Sequence, residues 1–194
     1  DYYKVSDNTN DLSYEKIEEL FGKYKSSNPF LILDLEIWKK KLYNFYIQEK
    51  DRLKTRRILN LEQAFSCEFE GIQIKGVIDR VDLNDDIYEV IDYKTSSSLK
   101  VDSLRNYDKS NDFQLEFYYI AMNNLYNSDK IDAYYYDLHN TKLVEEIALD
   151  KKLELLCEKF NELKEISKEK ISFDKCEDKS ICTYCAYKII CNRE

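Results

Sequence analysis

The stretch between residues 76 and 95 constrains the fold of this chain more than any other. Two short apolar segments, Gly76–Asp82 and Ile91–Thr95, flank a run of turn-forming residues. This arrangement predicts two strands that pair as part of an antiparallel meander. Side chains alternate along a strand, so Asp92 and Lys94 leave the same face. Pairing of the strands would bring Asp79 beside them, which gives two carboxylates and one ammonium at one place.

Hydrophobic spacing predicts the other elements. Period-2 alternation begins at residue 64, and the segments before it and after 150 have helical spacing. The first residues, 1–12, are polar and expected to be irregular. We therefore divide the chain into a helical N-terminal part (1–61), a core that carries the candidate site (62–150), and a helix with a cysteine-rich tail (151–194). The predicted helices cover residues 13–25, 33–59, 113–126 and 151–168, the predicted strands 64–69, 72–78, 87–93, 131–138 and 143–149, and the predicted loop 96–111.

Length and composition indicate a single globular domain. The chain has 194 residues, of which 43% are hydrophobic, and only 3 glycines and 1 proline, so most of it should be regular structure around a core. No apolar run approaches the length of a membrane span, and the N-terminus lacks a signal-peptide pattern. We expect a cytoplasmic protein with no membrane partner. Because the first residue is Asp rather than Met, we also expect a fragment of a longer protein.

The net charge of −8 argues against a general nucleic-acid binder, since binding of phosphates normally requires a surplus of cations. A metal-dependent enzyme that acts on nucleic acid is still compatible, because it needs carboxylates at its centre. A local basic stretch has two interpretations, a solvated helix face or a surface that tracks DNA. It consists of Lys50, Arg52, Lys54, Arg56 and Arg57.

The carboxylates and the lysine suit phosphodiester hydrolysis. Mg²⁺ or Mn²⁺ could be bound by Asp79, Asp92 and the backbone carbonyl of Tyr93, because these hard cations prefer oxygen ligands. Lys94 would orient the attacking water and counter the charge that develops on the phosphate. The alternative is a pair of ordinary surface ion pairs, Asp79 with Arg80 and Asp92 with Lys94. The apolar neighbours favour the first interpretation, because buried strands rarely carry carboxylates without a use for them.

A predicted helix adds two further candidates. Gln114 and Tyr118 are spaced i, i+4 and therefore project from one helix face. They could hold a phosphate or a metal-bound water beside the carboxylates. The alternative is a glutamine at the margin of the core and a tyrosine inside it.

Four of the six cysteines lie in the last nineteen residues. Cys182, Cys185 and Cys191 have a spacing that can converge on one centre, and Cys176 is a candidate fourth ligand. In a chain without a secretory signal this crowding favours metal or cluster ligation over disulfides. An iron–sulfur cluster, a structural zinc ion and unligated thiols all remain open from the spacing alone.

Together these motifs resemble a known family. Gly-x-Ile-Asp-Arg-x-Asp from Gly76, Ile-Asp-Tyr-Lys-Thr from Ile91 and Gln-Leu-x-x-Tyr from Gln114 resemble the RecB-type branch of the PD-(D/E)XK nuclease superfamily. The tail, Cys-x2-Cys-x5-Cys from Cys182, is similar to that of the AddB nuclease domain of AddAB helicase–nucleases, and secondly to that of CRISPR-associated RecB-like nucleases. The resemblance covers roughly 62–126 and 182–191. It implies an α/β (α+β) restriction-endonuclease-like core, with a central mixed β-sheet flanked by helices.

The resemblance also implies roles for these residues. Asp79 and Asp92 would bind Mg²⁺ or Mn²⁺, Lys94 would be the catalytic lysine, and Gln114 and Tyr118 would lie near the active site and the DNA. The tail cysteines would hold a structural 4Fe–4S cluster in the full-length protein. The implied function is that of a DNA exonuclease in a helicase–nuclease for double-strand break repair and recombination, paired with an AddA-like subunit. The alternative is a catalytically incomplete module of the same fold that binds DNA or a partner.

Two departures from the family pattern stand out. The family has a metal-binding histidine in an early helix, whereas the only histidine here, His139, comes much later. The family also has an upstream cluster cysteine, and here no cysteine precedes Cys67. We expect both elements to lie before the first residue of this sequence, unless Cys176 replaces the missing cysteine.

Overall fold

A computed structural model describes residues 13–168, 175–177 and 179–192, so the segment predicted to be irregular, 1–12, lies outside the described residues. Residues up to Cys157 form one compact unit and those from Glu158 onward form another. The described elements, in chain order, are α1 (Tyr14–Gly22), α2 (Pro29–Arg52), β1 (Arg56–Phe69), β2 (Ile72–Asn84), β3 (Ile87–Lys94), α3 (Gln114–Tyr126), β4 (Ile131–Asp137), β5 (Lys142–Glu145) and α4 (Leu149–Lys168), with short 3₁₀ turns at Tyr107–Lys109 and Ile181–Tyr184.

The strands form one five-stranded sheet in the order β1-β2-β3-β4-β5. Antiparallel pairs join β1 to β2, β2 to β3 and β4 to β5, whereas β3 and β4 are parallel. A parallel pair needs a crossover connection, and α3 lies in that connection. The mixed sheet flanked by helices confirms the predicted fold class.

The two faces of β3 have different roles. Val90 belongs to the hydrophobic cluster that contains the buried residues of α3, and Asp92 leaves the same face. Ile91 packs instead with Phe45 of α2 in a second cluster. Both clusters are built on buried side chains, so the sheet is covered on both faces. The α3 face carries the candidate carboxylate.

The helix predicted to reach residue 59 is wrong at both ends. α2 begins at Pro29, because proline suits the first position of a helix and the Asn28 side chain accepts the Phe30 N–H at 3.0 Å. It ends at Arg52, and β1 already begins at Arg56. The strand extends this far because residues 56–61 pair with the last residues of β2. The helical N-terminal part therefore does not extend to residue 61.

The strand predicted over 143–149 is too long. β5 ends at Glu145 and α4 begins at Leu149. The Glu146 carboxylate accepts the N–H of Ala148 at 3.0 Å and the ammonium of Lys152 at 3.0 Å. These bonds turn the chain into the first turn of α4. Among the described helices, none is long and apolar enough to cross a membrane.

Candidate active site

The site forms where β2 and β3 separate. Arg80 and Ile91 are the last paired residues of these strands, and Asp79 and Asp92 lie one residue beyond them. There the Tyr93 N–H donates to Asp79 Oδ2 at 3.0 Å. The carboxylate of Asp79 is therefore held by the backbone of β3, at the place where the ladder opens.

Asp92 is the most enclosed carboxylate of the site, with 2% of its surface exposed. Its Oδ1 accepts hydrogen bonds from Gln114 Nε2 at 2.6 Å and from the Tyr118 hydroxyl at 3.4 Å. Its Oδ2 lies 2.8 Å from Lys94 Nζ, and no other donor of the described residues reaches it. Burial raises the pKa of Asp92, Lys94 opposes that rise, and the negative charge of Asp79 adds to it.

Lys94 lies between the carboxylate and the helix. Its Nζ donates to Gln114 Oε1 at 2.7 Å and lies 5.3 Å from the ring centroid of Tyr135. The side chain is 24% exposed, so the ammonium borders both the buried carboxylate and solvent. As predicted from strand alternation, Asp92 and Lys94 leave one face of β3.

Gln114 connects the remaining groups. An amide has one oxygen acceptor and two N–H donors. Here the oxygen accepts from Lys94, and Nε2 donates to Asp92 and to the Tyr118 hydroxyl at 2.8 Å. Since the lysine can only donate, this orientation of the amide is the consistent one. Burial raises the pKa of Tyr118, which keeps its hydroxyl protonated as a donor to Asp92.

The arrangement of two carboxylates, a lysine and a Gln-x-x-x-Tyr helix on a mixed sheet agrees with the comparison with known families. A model of the PD-(D/E)XK nuclease superfamily matches residues 4–192. The chain belongs to the PD-(D/E)XK nuclease superfamily. Membership identifies it as a nuclease at the level of general activity. No curated protein matches the chain.

The residues present fit a hard divalent cation of the kind that PD-(D/E)XK nucleases use. Asp92 Oδ2 is a buried carboxylate oxygen, and within the described part of the chain Lys94 is the one cation close to it. Asp79 lies at the same separation of the strands. Among the described residues no group of three or more His, Cys, Asp or Glu side chains could hold a metal ion. Mg²⁺ needs only one or two carboxylates, because it retains several waters. Asp79, Asp92 and the Tyr93 carbonyl remain the proposed ligands.

The motif residue Arg80 lies on the opposite face of the sheet. It is fully buried and pairs with Asp82 through two bonds of 2.7 Å and with Glu49 of α2 at 2.6 Å. It also donates to the Tyr93 hydroxyl at 3.1 Å. Through Tyr93 this network supports β3 immediately beside Asp92.

The basic stretch is divided between two elements and partly neutralised. Arg52 pairs with the buried carboxylates of Asp82 and Glu89, and Arg56 bonds Glu89 at 2.9 Å. Lys54 pairs at the surface with Asp51 at 2.7 Å. The two further members are Lys50, at the end of α2, and Arg57, which lies on β1 instead of a helix. A role in DNA binding stays a prediction for this stretch.

The tail cysteines are not gathered into a metal site. None of Cys176, Cys182, Cys185 and Cys191 forms a disulfide, and the described residues contain no group of ligands that could hold a metal. Ligation of a 4Fe–4S cluster or a zinc ion by these cysteines stays a prediction. Cys67 is buried, as expected for a core residue. His139, which comes too late for the family's metal-binding position, bonds Lys41 Nζ at 2.9 Å.

Sequence reasoning missed two residues of the site. Asp112 accepts the Gln114 N–H at 3.0 Å and its Oδ2 lies 3.9 Å from Lys94 Nζ. An Asp immediately before the start of a predicted helix is a capping signal that could have identified it. Tyr135 lies beneath the Lys94 ammonium. Its place in a run of three tyrosines gave no comparable signal.

A cleft of about 510 Å³ opens beside these residues. Gln114 and Tyr118 line it, so it adjoins the site directly. The rest of its wall comes from β1, β2 and α3, and consists of Phe65, Gln73, Ile74, Lys75, Gly76, Val77 and Phe117.

Proposed function

We propose that this chain is the Mg²⁺- or Mn²⁺-dependent deoxyribonuclease domain of a cytoplasmic helicase–nuclease. In this proposal it is an AddB-like exonuclease that works with an AddA-like subunit in double-strand break repair and recombination. The observation that carries the catalytic part is the contact set of Asp92, Lys94 and Gln114 at the place where β2 and β3 separate. The order of the motifs and the Cys-x2-Cys-x5-Cys tail support the helicase–nuclease part. A CRISPR-associated RecB-like nuclease is the second identity.

Each side chain has a role in this proposal. Asp79 and Asp92 would hold the cation, which supplies an activated water and neutralises charge on the phosphate. Lys94 would orient that water and stabilise negative charge on the reacting phosphate. Gln114 keeps the ammonium of Lys94 and the carboxylate of Asp92 at fixed positions, which avoids reorganisation during the reaction. Tyr118 adds a second donor to Asp92.

The proposal is tested with linear DNA, labelled at either end, incubated with the full-length protein and Mg²⁺. We expect Lys94→Ala and Asp92→Asn each to lower kcat by about 100-fold or more, since single electrostatic groups of this kind contribute that much. Lys130→Ala removes an exposed lysine that pairs only at the surface with Asp86 and serves as the matched control. Cleavage that survives both site variants unchanged would falsify the catalytic assignment. Comparison of 5′ and 3′ labels gives the polarity.

The second candidate function is a module of the same fold that binds DNA or a partner without cleaving. The net charge of −8 favours the partner-binding form of this module, because the charge disfavours tight binding of a long polyanion. It predicts that the wild type and Lys94→Ala bind the same ligand with equal affinity, and that neither releases nucleotides with Mg²⁺. Lys94-dependent cleavage excludes it.

A further inference from the structure

The cleft beside the site has the size and the lining of a ligand pocket. Its volume of about 510 Å³ lies within the range of roughly 300–1,000 Å³ typical of small-molecule sites. Phe65, Phe117 and Tyr118 provide aromatic walls, and Ile74 and Val77 add aliphatic surface. A polar amide from Gln114 enters at the end that meets Asp92. The lining is therefore largely aromatic and aliphatic. Gln114 lies on the side of the carboxylates, and Gln73 and Lys75 are the further polar residues of the lining.

The charge of the lining differs from that of the whole chain. Among the described residues that line the cleft, Lys75 is the only charged one, and it is exposed. The chain as a whole carries a net charge of −8. A cleft without carboxylates and with one exposed ammonium suits a ligand that combines an aromatic ring with a phosphate.

The aromatic wall is built into the sheet. A Cβ at Gly76 would lie 2.9 Å from the Phe65 ring, so only glycine lets this ring rest against β2. The Phe65 and Tyr118 rings meet edge to face with centroids 6.5 Å apart. Phe65 is buried, which fixes the wall before any ligand arrives. This packing also accounts for Gly76, the first residue of the motif.

We propose that this cleft receives an unpaired nucleobase of the DNA strand, adjacent to the phosphate that the site cleaves. The inference rests on the proposed nuclease function and specifies its substrate class. A base in a duplex is stacked and paired, so it can enter a lateral aromatic cleft only when it is unstacked. The substrate at the site is therefore single-stranded DNA or a frayed end. Gln114 and Tyr118 connect the two subsites, because each lines the cleft and bonds Asp92.

The first test uses single-stranded oligonucleotides in which one abasic residue is placed at successive positions. Stacking of one base on aromatic side chains corresponds to about 5- to 150-fold in affinity. We expect kcat/KM of the wild type to decrease by a factor within this range when the abasic residue is adjacent to the cut. An abasic residue at any other position should change kcat/KM little. Equal rates along the whole abasic series would overturn the assignment.

The second test asks whether Phe117 contributes to this recognition. Phe117→Ala should lower kcat/KM on the intact oligonucleotide by most of the factor that the abasic residue costs the wild type. On the abasic oligonucleotide the same substitution should lower kcat/KM little further. Val77→Trp, at a position that is 48% exposed, should fill the cleft without disturbing the core and should give the same loss. Phe30→Ala removes a phenylalanine that is 80% exposed on α2 and is the matched control. Equal losses by Phe117→Ala on intact and abasic strands would mean that the ring only supports the fold.

Different results would exclude the nuclease function and the nucleobase site. If the wild type leaves all oligonucleotides uncut, the nuclease function fails and this inference fails with it. If cleavage depends on Lys94 but not on the base beside the cut, the nuclease function stands and the nucleobase site is wrong. A duplex with an unpaired end should also be cut faster than a fully paired one. Equal rates on these two duplexes count against the cleft.

Discussion

Gln114 uses the oxygen and the nitrogen of its amide within the site, the oxygen on Lys94 and the nitrogen on Asp92 and Tyr118. Residues that orient metal ligands typically contribute about 10- to 100-fold to metal affinity or activity. We therefore expect Gln114→Ala to lower kcat by about that factor and to raise the Mg²⁺ concentration needed for half-maximal rate. Steady-state cleavage at varied Mg²⁺ measures both.

The matched control for this change is Gln63→Ala. Among the residues that the structure describes, its side chain bonds only the neighbouring Ala64 carbonyl, at 2.9 Å, on β1. It should leave both kinetic quantities within about twofold of the wild type, since surface changes of this kind have small effects. If Gln114→Ala behaves like Gln63→Ala, the amide does not position the catalytic groups.

At the scale of elements, a buried ion network joins α2 to the sheet. Arg80 is fully buried between Glu49 of α2 and Asp82 of its own strand. Removal of one member leaves uncompensated buried charges, which costs about 3–5 kcal/mol. We expect Arg80→Ala to lower the free energy of unfolding by this amount in urea titrations. The exposed pair of Lys54 and Asp51 is the control, and Lys54→Ala should leave the free energy of unfolding nearly unchanged.

A second buried cluster links α3 to the first turn of α4. The Lys152 ammonium lies 3.2 Å from Glu116 and 3.0 Å from Glu146. Burial, partly opposed by Lys152, raises the pKa of Glu116 to about 7 from the ordinary 4.5. The folded state thus binds this proton more tightly than the unfolded state does. The resulting stability is fully present below pH 4.5 and is lost as the pH rises through about 7.

Glu116→Gln removes this titration. Between pH 5 and pH 7.5 we expect the free energy of unfolding of the variant to rise relative to that of the wild type, by at most about 1.4 kcal/mol per pH unit. Urea unfolding at a series of pH values measures the difference. Glu154→Gln, an exposed carboxylate paired with Lys151 on α4, should show no such trend. A difference that is constant with pH would show that Glu116 titrates normally in the folded protein.

At the scale of the whole molecule, the sequence predicted the sheet and the faces that carry the candidate residues better than it predicted the ends of the helices and strands. Strand alternation was sufficient to place Asp92 and Lys94 on one face, and helical spacing was sufficient for Gln114 and Tyr118. The start of β1 at Arg56 depends on pairing with the end of β2 and on carboxylates distant in sequence, so local periodicity could not reveal it. The cleft depends on Phe65 resting on Gly76, a contact between strands that no single segment encodes.

A cation that binds only the folded site should stabilise the whole molecule. At a Mg²⁺ concentration 100 times its Kd the stabilisation is about 2.7 kcal/mol, which is a rise in Tm of about 5–10 °C for a chain of this size. We expect the wild type to show this rise with Mg²⁺ and to lose it with EDTA. Asp92→Asn should lose most of the rise, whereas Lys94→Ala should keep it, because lysine binds no cation. Asp85→Asn, in the exposed turn after β2, removes the same charge and controls for general screening of the acidic surface. An equal rise in Asp92→Asn and Asp85→Asn would place the cation elsewhere and remove the support for Asp92 as a ligand.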